Sequence, residues 1–165
     1  MMKKMSAIIL TMFMMLSLSA CGGQKQANDV KNKVENAPNQ TKNDVIKLPK
    51  DLKEADMGTG TFYIKTSSGT SEKGEVPEIY TKKDTQVMHI NVNTKNFNGE
   101  HMSYIFVDGI FNTKKQLSDS SLTIDLKGNN IKAGKHRVDI VQFNNNKTSD
   151  KVITHKLAYY QVKSE

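Results

Sequence analysis

Phe106-Val107-Asp108-Gly109-Ile110-Phe111 is the stretch on which the reading of this 165-residue chain turns. Asp-Gly between two apolar runs is the composition of a two-residue type I′ hairpin, because both turn positions need positive φ and these residues tolerate it. Such a turn sets the register: Val107 faces Ile110 and Phe106 faces Phe111, and the aromatic pair is expected in the core. Outward from this hairpin, short alternating runs separated by Gly, Asn, Asp and Ser recur from Thr59 onward, the pattern of an all-β domain. Strands are predicted at 60–66, 78–82, 86–94, 102–107, 110–113, 121–126, 135–143 and 152–162. In the third, Met88, Ile90 and Val92 fall on one face and Val87, His89, Asn91 and Asn93 on the other; Leu122, Ile124 and Leu126 repeat the apolar face, with Thr123 and Asp125 outward. Seven or eight strands in roughly 105 residues fit two packed antiparallel sheets better than one.

The stretch Leu122-Thr123-Ile124-Asp125-Leu126, then Ala133-Gly134-Lys135-His136-Arg137-Val138-Asp139-Ile140 and Val152-Ile153-Thr154, resembles the last strands of bacterial immunoglobulin-like or fibronectin-like modules. The resemblance covers Val107 to Val162 and lacks the Cys pair and core Trp of antibody domains. It implies an immunoglobulin-like sandwich and no particular function.

The N-terminal residues read differently. Lys3 and Lys4 precede an apolar run from Ala7 to Leu18, about 12 residues, too short for a hydrocarbon core that requires about 20. Leu18-Ser19-Ala20-Cys21 resembles the lipobox of bacterial lipoproteins, which implies cleavage between Ala20 and Cys21 and lipidation of the Cys21 thiol. Cys21 is the only cysteine of the chain, so no internal disulfide competes for it. Residues 1–20 are therefore expected to be a signal peptide, residues 21–56 a lipidated cysteine followed by a flexible polar linker, and residues 57–165 the sandwich. Two acyl chains anchor effectively permanently, which places the domain at the outer face of a cell membrane. Val45-Ile46-Lys47-Leu48 is the one apolar patch of the linker, and a tether without fixed structure is the preferred reading there. A single arginine, Arg137, among many Lys and Asn matches the codon bias of a low-GC Gram-positive genome.

The formal charge of +7 invites a nucleic-acid reading, but the charge is spread thinly and no Lys/Arg cluster interleaved with aromatics occurs, so nucleic acid is not an expected partner. His89, His101, His136 and His155 lack metal-ligand spacing, and no metal or cofactor is expected. His89, His101 and His155 are expected on exposed faces or strand ends, whereas His136 suits a hydrogen bond to a turn. No G-x-S-x-G supports a serine nucleophile. Asp108 is explained by its turn, and Asp125 and Asp139 by outward strand positions, so paired-carboxylate catalysis is not expected. One of Tyr159 and Tyr160 should be buried and the other exposed. The candidate recognition residues are loop residues: Ser67 and Ser68 in one turn, and Asn144, Asn145, Asn146 and Lys147 in another. The expected function is a non-enzymatic binding or scaffolding module at the cell envelope, its partner another envelope protein or an anionic wall polymer. The alternatives are a small envelope hydrolase whose site assembles only in three dimensions, and an accessory lipoprotein of a transport or conjugation system.

Overall fold

A computed structural model describes residues 45–52 and 56–165; Ala20, Cys21, the expected signal peptide and most of the expected linker lie outside the described residues. The described chain is all-β. Its strands are β1 (Thr61–Thr66), β2 (Gly69–Thr70), β3 (Glu78–Thr81), β4 (Val87–Lys95), β5 (Met102–Val107), β6 (Ile110–Gln116), β7 (Ser120–Lys127), β8 (Gly134–Phe143) and β9 (Val152–Ser164). They form a four-stranded sheet, β2-β1-β4-β7, and a five-stranded sheet, β3-β9-β8-β5-β6.

The Asp-Gly hairpin has the expected register, Phe106 opposite Phe111 and Val107 opposite Ile110. Asp108 and Gly109 both take positive φ, +51° and +77°, the signature of the primed turn. Alternation holds on β4 and β7: Ile90, Val92, Ile124 and Leu126 are buried, while His89, Asn91, Thr123 and Asp125 are exposed. With Ile64, Ile105, Val107, Val138, Ile140, Tyr160 and Val162 they build the core between the sheets.

Three expectations give way. The strands number nine among the described residues, because Gly69–Thr70 pairs with the end of β1 and two residues are too few to display a period. The sandwich is not wholly antiparallel: β3 runs parallel to β9, Glu78 opposite Gln161 and Thr81 opposite Ser164. Some 80 residues separate the pair in sequence, so no hairpin dictates its direction. Finally, the apolar patch assigned to the tether docks on the domain. Lys47 bridges Ile110, and Ile46, Leu48 and Leu52 pack on a second apolar cluster of Tyr104, Phe106, Val141 and Phe143. That cluster occupies the outer face of the five-stranded sheet. A face this apolar is costly to leave wet, and the strap at 45–52 covers it.

The same entering chain closes an exposed edge. Met57 exchanges both backbone hydrogen bonds with His155, at 2.8 and 3.0 Å, and Asp56 Oδ1 accepts from Leu157 N at 3.1 Å. This occupies the part of β9 that β3 does not reach, where open N–H and C=O groups would otherwise invite another chain. Gly58 permits the close approach. Its φ is +76°, and a Cβ there would stand 2.3 Å from the Ile153 carbonyl oxygen, so no side chain fits.

Candidate binding cleft

An open cleft of about 570 Å³ lies at one end of the sandwich, lined by Lys82, Lys83, Thr85, Lys132 and Ser164 among others. Register explains why these distant residues meet: Gly134 pairs with Val162 and Thr81 with Ser164, so the start of β8 and the ends of β9 and β3 share this end. One wall is the turn after β3, where Thr85 N donates to Lys82 O and Lys82 N to Thr85 Oγ1, both at 3.0 Å. The opposite wall is the 3-10 turn Gly128–Ile131 with Lys132 and Ala133. Ser164 and Glu165 complete the lining, tied to the first wall by Glu165 N donating to Thr81 O at 2.9 Å. The charged lining residues are three lysines and Glu165.

Buried aromatic groups pin the second wall from beneath. Tyr160, fully buried, donates from its hydroxyl to Asn130 O at 2.7 Å. Burial pushes the Tyr160 phenol up from its ordinary pKa, and the Asp108 carboxylate adds to this, so the phenol stays a donor throughout the working pH range. The His136 ring stacks on Tyr160, centroids 5.1 Å apart and planes at 19°. Its Nε2 lies 2.8 Å from Lys132 O and its Nδ1 2.6 Å from Asp108 Oδ2, while Asp108 Oδ1 accepts from Arg137 N at 2.9 Å. His136 thus bonds a turn, as its sequence position suggests, and the hairpin carboxylate holds the cleft wall through one imidazole. A wall fixed before binding spares a ligand the cost of ordering it.

A second polar cluster contradicts the sequence reading. Asp139 and His155 were expected to face solvent, yet neither side chain has any exposure. His155 Nε2 is 2.8 Å from Asp139 Oδ1, and Arg137 holds both oxygens of that carboxylate from Nε, at 2.9 and 3.0 Å, with Nη2 at 2.6 Å from Oδ1. These residues stand on the outer face of β8 and β9, a face that would be wet in a plain two-layer sandwich but here lies near the docked chain. His155 Nδ1, the atom a general base would turn toward a substrate, is buried with no hydrogen-bond partner. Among the described residues no group of three or more His, Cys, Asp or Glu is placed to hold a metal ion.

Asp125 does lie outward, as expected. Lys127 holds its carboxyl below the ordinary aspartate range by a side-chain hydrogen bond, with His89 assisting. A depressed carboxyl stabilises the fold above its unfolded pKa and loses that contribution as pH falls through the folded value. Glu78 is likewise lowered, chiefly by Lys163 and then by Tyr80, which clasps the parallel strand to β9. Of the two tyrosines, Tyr160 is the buried one, and Tyr159 is half-buried with Lys135 Nζ 4.0 Å from its ring centroid.

The loop residues singled out from sequence do not gather. Ser67 and Ser68 sit in the β1–β2 turn at an edge of the four-stranded sheet. Asn144, Asn145 and Asn146 form a 3-10 turn after Phe143, at the other end of β8, roughly 30 Å from the cleft at about 3.3 Å per residue. Asn145 and Asn146 take positive φ, 52° and 57°, and Asn146 Oδ1 accepts from Met102 N at 2.6 Å while its carbonyl accepts from Tyr104 Oη at 3.2 Å. Their amides build the turn and tie it to β5; Lys147 beside them is exposed. The cleft itself left only the Lys82-Lys83 pair in a turn as a trace in sequence. Among the described residues no helix is long and apolar enough to cross a membrane. No protein-family model matches the chain, and comparison with curated proteins and with solved structures finds no match.

Proposed function

We propose that this chain is a lipid-anchored binding module at the outer face of a cell membrane, holding an envelope component in the cleft at the end of its sandwich. The cleft carries the reading: its volume is in the range of ligand sites, and its walls are fixed by hydrogen bonds and a stacked His136–Tyr160 pair. The strand orders β3-β9-β8-β5-β6 and β2-β1-β4-β7 support reading the sandwich as immunoglobulin-like, a frame whose end loops commonly bear recognition sites. The sequence Leu18-Ser19-Ala20-Cys21 supports the anchor.

Two substitutions test the two halves of this proposal. Cys21→Ser removes the only thiol that lipid can modify, so the protein should move from the membrane fraction to the soluble fraction of fractionated cells; full membrane retention overturns the anchor. In the unlipidated Cys21→Ser protein, Ala133→Trp fills the cleft without altering its charge and should lower binding to isolated cell envelopes by about tenfold, the loss of roughly 1.4 kcal/mol. Unchanged binding overturns the cleft as the site.

A further inference from the structure

We infer that the cleft takes an anionic phosphodiester group; the inference rests on the cleft being a binding site. Lys82, Lys83 and Lys132 contribute three positive charges against the single carboxylate side chain of Glu165. Glu165 Oε2 stands 4.0 Å from Lys82 Nζ with half its side chain exposed, so it offsets one of the three lysines and leaves the positive charge in excess. Thr85, Gln86 and Ser164 add neutral polar groups to the same lining. The set therefore selects an anion that accepts several hydrogen bonds at once.

The type of cation narrows the anion. A planar carboxylate is matched best by the guanidinium fork, and the chain's one arginine, Arg137, holds Asp139 with that fork on the outer sheet face. Lysines act as point charges with rotatable donors. Three of them with hydroxyl neighbours suit the tetrahedral oxygens of a phosphate, which present no plane. A phosphate monoester or free phosphate would be small for a space of about 570 Å³ that opens to solvent, whereas a diester carries substituents on both sides and extends along the cleft. The chain also enters the domain at this end: Lys47 bridges Ile110 beside the Asp108–Gly109 turn, and Asp108 meets His136 under the cleft wall. Phosphodiesters of a wall polymer and of lipid headgroups share this chemistry, and the test separates them.

The full chain carrying Cys21→Ser, and therefore no acyl chains, is titrated in detergent-free buffer with poly(glycerol phosphate), with polyglutamate, and with phosphatidylcholine vesicles with or without phosphatidylglycerol. Binding of poly(glycerol phosphate) should weaken roughly 20-fold between about 50 and about 200 mM salt, as counterion release by three contacts requires. Lys82→Gln/Lys83→Gln/Lys132→Gln should lower affinity by about tenfold or more at the low salt and flatten that dependence, while Lys114→Gln/Lys115→Gln on the edge strand β6 leaves both unchanged. Binding confined to phosphatidylglycerol vesicles, and lost in the triple variant, keeps the phosphodiester and assigns it to lipid. Equal affinity for polyglutamate, or a triple variant that binds like the parent, overturns the inference. If Ala133→Trp in the Cys21→Ser background still lowers envelope binding about tenfold in that case, the cleft remains the site and only its ligand class is wrong; if it does not, both fall.

Discussion

Asp139→Asn should cost about 3–5 kcal/mol of folding stability, because it removes the negative member of a buried charge cluster and strands the others. Asp139 has no exposed side-chain surface, accepts three contacts from Arg137 and meets the equally buried His155. Asn retains the shape but not the charge that offsets the guanidinium, and its amide nitrogen turns a donor toward donors. The cost is that of an uncompensated charge, which differs from the net worth of the cluster. Replacing all of it, as in Arg137→Met/Asp139→Leu/His155→Leu, should therefore restore most of the loss, since apolar groups of similar volume often match or exceed a buried ionic set. Urea unfolding of the parent, the single variant and the triple variant reads both numbers. A single-variant loss below about 1 kcal/mol, the scale of an exposed pair, would show that the cluster is solvated.

Phe106→Ala should cost about 3–5 kcal/mol, the range for truncating a buried Phe, and should loosen the strap as well. Phe106 is fully buried, although it faces away from the main core. Its ring meets Phe111 edge-on, centroids 5.9 Å apart at 71°, in the cluster on which Ile46, Leu48 and Leu52 pack. The strap's one bridge within the described residues is Lys47 to Ile110, so apolar contact supplies most of its hold. Removing the aromatic floor should speed tryptic cleavage after Lys47 and Lys50 under native conditions, while a core truncation such as Ile124→Ala, which does not touch the strap, should leave that local cleavage nearly unchanged. Equal acceleration by both variants would mean that the strap opens only when the whole domain does.

Much of the sheet architecture was legible in sequence for a local reason. Successive strand side chains point to opposite faces, so Ile90 and Val92, Ile124 and Leu126 announce a buried face without reference to any distant residue. The Asp-Gly turn is equally local: its backbone demands positive φ at two adjacent positions, and that fixes the pairing of Phe106 with Phe111. The lipid anchor at Cys21 remains a reading of the sequence, since it lies outside the described residues.

What only the tertiary structure decided depends on chain segments far apart. Period-two alternation sorts Arg137, Asp139, Val141 and Phe143 to one face of β8, but cannot say whether that face meets water. The docked strap and the pairing of Met57 with His155 decide it, converting Asp139 and His155 from expected surface groups into a buried cluster. Strand direction is undetermined where no short turn links the pair, hence the parallel β3 and β9. Likewise Lys82, Lys83 and Lys132 become one site only because the ends of β3 and β9 and the start of β8 coincide. The periodicity of a strand is written in its neighbours, whereas burial of a charge and convergence of a site depend on contacts that sequence order does not encode.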